Sequence, residues 1–226
     1  MRIWDPATGD RLAVLEGHTG WLSAVCAFTL DGRTLLASGG GDRTVRIWDP
    51  ATSARNPVLE GPGGPVISVC VFTRDGRTLL ASGGADGAVR IWDHATGDRL
   101  TVLEGHTGPV SAVCAVTLDG RTLLASGGDG GAVRIWDPAT GSQHAVLEGH
   151  TGAVNAVCAL TLDSRTLLAS GSRDRTIRVW DATMTTTWLT VPVHHPVRAI
   201  VYASDVLVTV VTAGLLAVNF NFAVTK

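Results

Sequence analysis

The sequence predicts an all-β fold assembled from a repeated unit of four short strands. Three observations carry this. The dipeptide Trp-Asp recurs at Trp4-Asp5, Trp48-Asp49, Trp92-Asp93, Trp136-Asp137 and Trp180-Asp181, always 44 residues apart. Segments such as Val110–Thr117 (VSAVCAVT) and Ala132–Trp136 (AVRIW) alternate and are rich in β-branched residues. Turn chemistry (LDGR, GGGD, DPATG) cuts these segments every eight to twelve residues, and no ten-residue window carries a helical stripe.

The elements follow in order. The chain opens inside a unit, because Met1-Arg2-Ile3-Trp4-Asp5 aligns with Val45-Arg46-Ile47-Trp48-Asp49; a strand is expected at Arg11–Glu16. The run DGRTLLASG then recurs from Asp31, Asp75 and Asp119, and as DSRTLLASG from Asp163. Its glycine suits a turn position with positive φ. VRIWDP ends at Pro50, VRIWDH at His94, VRIWDP at Pro138 and IRVWDA at Ala182. LEGH stands at Leu15, Leu103 and Leu147, with LEGP at Leu59. From Ala199 the repeat decays: Val193-His194 replaces Gly-His, and no Trp-Asp appears near Asn219-Phe220. Met1 fills a slot held elsewhere by Val45, Val89, Val133 and Ile177, so a valine codon read as a start is expected, and with it a truncated gene or gene model. The C-terminus reads as a true end.

Composition removes several function classes. With 45% hydrophobic residues in 226, the chain can bury a sizeable core. A net charge of −2 argues against a nucleic-acid binder that works by bulk electrostatics. The single lysine, Lys226, excludes a GxxxxGK[ST] phosphate loop, and the arginine bias suggests a high-GC genome. HExxH, CxxC, GxSxG and Asn-x-Ser/Thr are absent, and Gly61-Pro62-Gly63 lacks a third glycine in register for a dinucleotide loop. Cys26, Cys70, Cys114 and Cys158 lie 44 residues apart, which is neither a disulfide framework nor a metal pair; each reads as a small buried hydrophobe. His194-His195 tempts as a metal site, but neighbouring strand residues point to opposite faces and no Cys, Asp or Glu flanks them. The opening MRIWDPATGDR has no apolar signal region, and the apolar stretch Ala199–Val224 is broken by Asp205, Gly214, Asn219 and Asn221. The expectation is a soluble cytoplasmic protein without metal, cofactor, nucleic acid or membrane partner.

Over residues 1–200 the chain resembles the WD-repeat β-propellers. The residues that carry the resemblance are Gly17-His18, Gly105-His106 and Gly149-His150 together with the five Trp-Asp pairs. In style the repeats look bacterial, specifically actinobacterial. The resemblance implies one propeller domain over 1–226, with about five blades of four antiparallel strands, a to d. A partial blade at 1–16 precedes repeats at about 17–49, 61–93, 105–137 and 149–181, and a degenerate last blade spans about 193–222. The strand count exceeds five blades by one. Arg11–Glu16 could close the last blade as its outer strand, leaving Met1–Trp4 unpaired. A closed ring and an incomplete, open propeller both stand, and an open blade edge invites self-association.

The family pattern also implies a network of loop His, strand-b Ser, turn Asp and strand-c Trp. The first blade supplies His18, Ser38, Asp42 and Trp48; the fourth supplies His150, Ser170, Asp174 and Trp180. The second has Pro62 in place of His beside Ser82, Asp86 and Trp92. The third has His106, Ser126 and Trp136, but its Asp129 stands one place early and Gly130 fills the usual slot. His, Asp and Ser together imitate a catalytic triad, yet four copies around a ring are not one active site. Partners for a buried indole and hydroxyl are the better reading. Asp49, Asp93 and Asp137 recur with the period and read as turn groups.

Function is therefore expected on exposed loops. In the family the d–a and b–c loops share a top face that binds partners. Comparison of the copies singles out Trp21, where the others have Pro65, Pro109 and Ala153. It also singles out Arg43 and Arg175, where the others have Gly87 and Gly131, and Arg173, where the others have Gly41, Ala85 and Asp129. The expected role is a non-catalytic scaffold for other proteins. Two rivals are a piece of a larger regulatory WD-repeat protein without independent activity and a small-ligand or glycan-binding propeller. The latter is weakened because only Trp21 and Trp188 lie outside the Trp-Asp set.

Overall fold

The computed structural model describes residues 1–52, 55–61, 63–162, 165–203 and 206–219. Every regular element among them is a β-strand. By backbone proximity the chain divides into two compact units, residues 1–105 and 106–226.

The first unit opens with a two-stranded sheet, β1 (Arg2–Trp4) and β2 (Arg11–Val14). Two four-stranded antiparallel sheets follow, each in sequence order. One comprises β3 (Leu22–Leu30), β4 (Arg33–Gly40), β5 (Thr44–Trp48) and β6 (Arg55–Glu60). The other comprises β7 (Val66–Arg74), β8 (Arg77–Gly84), β9 (Val89–Asp93) and β10 (Arg99–Leu103). The pairing of β1 with β2 corrects the expectation that Met1–Trp4 would be left without a partner. The DPATG turn between them folds back locally, Asp5 Oδ1 accepts the Ala7 N–H at 2.8 Å, and Ile3 pairs with Ala13. A short local hairpin forms at smaller entropic cost than a pairing that spans the chain.

The second unit has two four-stranded sheets and a three-stranded one. The first holds β11 (Val110–Leu118), β12 (Arg121–Gly128), β13 (Val133–Trp136) and β14 (Gln143–Leu147). The next holds β15 (Val154–Leu162), β16 (Arg165–Ser172), β17 (Thr176–Asp181) and β18 (Thr186–Pro192). The last holds β19 (Val197–Ala203), β20 (Val206–Val211) and β21 (Gly214–Asn219). Most of the apolar stretch from Ala199 to Val224 is thus strand, and no helix of the described residues is long and apolar enough to cross a membrane.

Strands a and b of each complete sheet are joined by two residues. Asp31-Gly32, Asp75-Gly76 and Asp119-Gly120 all have positive φ, 48° and 74° in the first case, which matches the right-handed strand twist. Asp163-Ser164, the fourth copy, lies outside the described residues. At the other end of strand c, Asp49, Asp93, Asp137 and Asp181 each accept a backbone N–H two residues on, at 2.8–3.0 Å, and are the turn groups that the periodicity suggested. Arg77 and Arg121 pair with Asp93 and Asp137 across these turns.

Consecutive sheets within a unit stack through one repeated contact. Strand b carries a glycine, and strand a of the next sheet presses a valine into the space. A methyl group at Gly39 would stand 2.5 Å from Val66 Cγ1; at Gly127, 2.4 Å from Val154 Cγ1; at Gly171, 2.2 Å from Val197 Cγ1. Absence of a side chain is what lets the sheets approach. Apolar clusters fill the space around these contacts, among them Ala37, Val45, Leu59, Val66 and Trp92 in the first unit and Ala125, Val133, Val154 and Trp180 in the second. The Ser23 hydroxyl donates to the Val66 carbonyl, and the Asn155 amide donates to the Val197 carbonyl at 2.7 Å, adding polar links between sheets.

Candidate functional site

The polar network begins with the tryptophan of strand c. Trp48, Trp92, Trp136 and Trp180 are buried, and an indole N–H can only donate. Its partner is the serine of strand b in each case: Ser38 at 2.8 Å, Ser82 at 2.9 Å, Ser126 at 2.7 Å and Ser170 at 2.7 Å. Strand pairing places the two groups, since Leu36 faces Trp48 and Ser38 stands two residues along.

In the first and fourth complete sheets the network is whole. His18 Nε2 lies 2.8 Å from Ser38 Oγ and its Nδ1 lies 2.8 Å from Asp42 Oδ2; His150 makes the same two contacts with Ser170 and Asp174, both at 2.8 Å. With the serine oxygen accepting from the indole, its one proton goes to Nε2, so Nδ1 carries the hydrogen that the aspartate accepts. Burial by itself would raise the Asp42 carboxyl. The Thr19 N–H, the Thr44 hydroxyl and His18 outweigh that and hold it at about 2. Asp174 is likewise brought down to about 2 against burial, by Thr176, His150 and the Thr151 N–H. His150 is lowered by burial, although Asp174 opposes this.

The two intervening sheets depart from the pattern in different ways. In the second, Pro62 lies outside the described residues. Asp86 is taken by the guanidinium of Arg90, with Nη1 at 3.1 Å from Oδ1, and this pair lowers its pKa. Arg90 is on strand c, two residues before Trp92, and was missed because every repeat carries an arginine there; the equivalent Arg46 stays 4.0 Å from Asp42 Oδ2 in the first sheet, where His18 already holds that carboxylate. In the third, His106 Nε2 meets Ser126 Oγ at 2.6 Å, while exposed Asp129 supplies its backbone N–H to the Pro109 carbonyl. Burial, then Arg134, pushes His106 down to about 4.

The last, three-stranded sheet replaces the network. Strand pairing sets Val193, not His194, in the histidine position, because Val197 corresponds to Leu22, which lies four residues after His18. Thr209 takes the serine position and Val218 the tryptophan position. Among the described residues the buried Thr209 hydroxyl has no hydrogen-bond partner, as expected once the indole is gone. His194 and His195 are exposed in a bend between β18 and β19. Among the described residues no three metal-ligating side chains cluster. The four cysteines form no disulfide and lie half-buried at one equivalent strand-a position, and burial pushes the thiols of Cys26 and Cys158 up to about 11 and 12.

Chemically, the His–Ser–Asp constellation is closed to substrate. Ser38, Ser126 and Ser170 are wholly buried, and their oxygens already accept from indole N–H groups. A nucleophile needs an exposed oxygen with a free approach.

The loop residues singled out by comparison of the copies lie on the turns that this network braces. Trp21 is 59% exposed; its carbonyl accepts the Gly41 N–H at 2.8 Å and its indole lies over Gly41. The same link joins Ala153 to Arg173 in the fourth complete sheet, at 2.9 Å. Arg43 and Arg175 are exposed and adopt φ of 67° and 65°, whereas Gly87 and Gly131 fill the equivalent positions with φ of 82° and 76°. Trp21 therefore shares one turn region with Arg43 in the first unit, and Arg173 shares one with Arg175 in the second.

A search of curated proteins returns no match. The family described as WD domain, G-beta repeat matches residues 9–49, 55–93, 97–137 and 141–181. Each matched stretch contains one outer strand followed by strands a, b and c of the next sheet, which is the unit that the 44-residue period marks out. A chain whose sheets follow its repeats one by one, and whose repeats match this family over well more than half of its length, belongs to the WD-repeat β-propellers.

Proposed function

We propose that this chain is a non-catalytic interaction module that holds other proteins on the loops where its d–a connections meet its b–c turns. WD-repeat propellers commonly mediate protein–protein contacts and are generally non-catalytic. One observation carries the finer reading. Arg43 and Arg175 keep large charged side chains at left-handed positions that sister repeats give to glycine. Such backbone costs a non-glycine residue about 1–2 kcal/mol. A strained residue with an exposed guanidinium, next to an exposed indole in the case of Arg43, is well suited to contact a partner. The working setting is the cytoplasm, with proteins as the partners rather than nucleic acid or membrane.

Glycine at these positions separates binding from folding. Arg43→Gly and Arg175→Gly should leave the denaturation midpoint unchanged or raise it, since the strain is relieved. A partner isolated with the intact chain and re-bound in purified form should be lost on either substitution, or on Trp21→Ala. Retention of that partner by all three variants, with loss only when turns such as Asp119-Gly120-Arg121 are changed, would place the contact on the opposite face.

A further inference from the structure

The turn that follows strand b keeps one backbone in the first, third and fourth complete sheets. The Gly41 N–H donates to the Trp21 carbonyl, Asp129 to Pro109 and Arg173 to Ala153, at 2.8–3.1 Å. The N–H groups of Arg43, Gly131 and Arg175 then donate to Gly40, Gly128 and Ser172, at 3.1–3.3 Å. What differs is the residue between these two links: Asp42, Gly130 and Asp174. Around each aspartate the same donors converge. Asp42 accepts the His18 Nδ1–H at 2.8 Å, the Thr19 N–H at 3.0 Å and the Thr44 N–H at 3.1 Å. Asp174 accepts from His150, Thr151 and Thr176 in the same way, at 2.8–3.0 Å. The two aspartate side chains are 7% and 8% exposed, so salt screens these contacts little.

The third sheet keeps the donors and lacks the acceptor. His106 corresponds to His18, Thr107 to Thr19 and Ala132 to Thr44. Ser126 Oγ accepts the Trp136 N–H at 2.7 Å and gives its own proton to His106 Nε2 at 2.6 Å, so His106 Nδ1 carries a hydrogen. Among the described residues no acceptor meets that N–H, nor the backbone N–H groups of Thr107 and Ala132. Arg134 adds positive charge: it opposes protonation of His106, and its buried Nε has no partner among the described residues. The space is open to the outside. Gly130 and Thr107 are exposed, and a Cβ at Gly130 would stand 2.7 Å from Thr107 Oγ1, the end of a side chain that can rotate.

We infer that the His106 Nδ1–H and the backbone N–H groups of Thr107 and Ala132 form a binding site for a carboxylate group brought by another molecule, either a free small acid or an acidic side chain of a partner protein. Hydrogen bonds from N–H groups to an ionised carboxylate are stronger than those to a neutral acceptor, and two oxygens serve three donors. Acetate is the aspartate side chain cut at Cα, so its oxygens can lie where Asp42 and Asp174 place theirs. The site stands apart from the interaction role proposed above, since small acids report on it with the chain alone.

Proton NMR of the intact chain at neutral pH tests it. His18 and His150 should each give a low-field imidazole N–H resonance from the bond to their aspartate, and His106 should not. Sodium acetate, titrated against sodium chloride at matched ionic strength, should bring out a third such resonance saturably. The Thr107 and Ala132 amides should shift with the same midpoint. Gly130 does not have the left-handed φ of Gly131, so Gly130→Asp fits the turn and should show the third resonance without acetate. Gly130→Asn fills the same space with a neutral amide and should weaken acetate at least tenfold. A blocked aspartate, N-acetyl-aspartic acid α-methylamide, separates the two sources. If it matches acetate, the site takes a partner's side chain; if acetate alone responds, it takes a free acid. A response to acetate no greater than to chloride, or one that both Gly130 variants leave intact, would overturn the inference. So would a folded Gly130→Asp chain without the third resonance.

Discussion

The valine-into-glycine contact between blades makes a quantitative test possible. In Gly127→Ala the new methyl would stand 2.4 Å from Val154 Cγ1, 2.9 Å from its Cβ and 3.3 Å from Val157 Cγ1. Carbon atoms prefer about 3.5–4.0 Å, so a shift of more than about 1 Å is required. Both partners sit on hydrogen-bonded strands, β12 and β15, and neither can swing aside. The expected loss is about 1–3 kcal/mol, the range for overpacking a core. Val154→Ala alone removes two buried methyl groups at about 0.8 kcal/mol each plus a cavity contribution, hence about 2 kcal/mol. In the double variant the new methyl enters space that Val154 Cγ1 has vacated. Its loss should fall short of the summed single losses by at least about 1 kcal/mol, as expected of residues in contact. Gly120→Ala is the control: its φ is +73° and no atom lies within 4 Å of the added carbon, so only backbone strain of about 1 kcal/mol applies. Urea titration by tryptophan fluorescence, with the slope unchanged, reads all four. Additivity within about 0.3 kcal/mol, or a Gly127→Ala loss below that of Gly120→Ala, would refute the contact as the element that sets blade spacing.

Three further outcomes follow from the polar network. Asp42→Ala and Asp174→Ala should each lose about 2–3 kcal/mol, because a histidine N–H and a backbone N–H lose their acceptor, while Asp129→Ala should stay within about 0.5 kcal/mol; denaturant midpoints decide this. His106 titrates near 4 when folded against 6.5 when unfolded, so between these values the unfolded chain binds the extra proton and stability falls as the pH drops from about 6.5 to 4. His106→Gln should reduce the slope in that window, leaving the part that buried His150 contributes, and leave the fall between about pH 4 and 2, where Asp42 and Asp174 protonate in the unfolded chain first. Trp136→Ala should lose about 3–5 kcal/mol by the same titration, since the side chain is wholly buried and its removal also strips Ser126 of a donor.

Much of the fold was legible because it is periodic. The strand limits follow from two-residue Asp-Gly turns and Trp-Asp positions that repeat every 44 residues, and the family resemblance then set His18, Ser38, Asp42 and Trp48 in one network. What escaped the sequence was partner choice where a repeat departs from the pattern. Asp86 remains in place without its histidine, but nothing local says that Arg90 will close on it, because Arg46, at the same position of the first repeat, stays 4.0 Å from Asp42 Oδ2. The last blade was misread by one residue at Val193-His194, since a lone histidine drew the alignment while strand pairing, set by burial of Val197 and Leu207, put valine there. An open edge was among the sequence expectations, but which side chains are exposed was not: Val25, 57% exposed, and half-buried Val69 look alike as letters, and only the neighbour differs. The loop residues Trp21, Arg43, Arg173 and Arg175 could be picked out by comparing copies, but the left-handed backbone under the two turn arginines could not.

The two-residue turns have a kinetic role as well. RTLLASGG is identical in β4, β8 and β12, and the strand-a sequences before them share the Val-Cys centre, β3 and β11 differing at two of nine positions and β7 from either at five. The identical b strands therefore offer each a strand the same backbone partner in a register displaced by a whole repeat. What discriminates is closure: Asp31-Gly32, Asp75-Gly76 and Asp119-Gly120 join each correct pair across two residues pre-bent for the purpose, whereas a pairing with the neighbouring repeat must close a loop of 25 residues (β4 with β7) or 46 (β3 with β8). Correct assembly of this chain is thus a race that short hairpins win. Lengthening or stiffening one of those turns would slow the local pair, and chains would then exchange strands between repeats or between molecules while keeping almost every native contact.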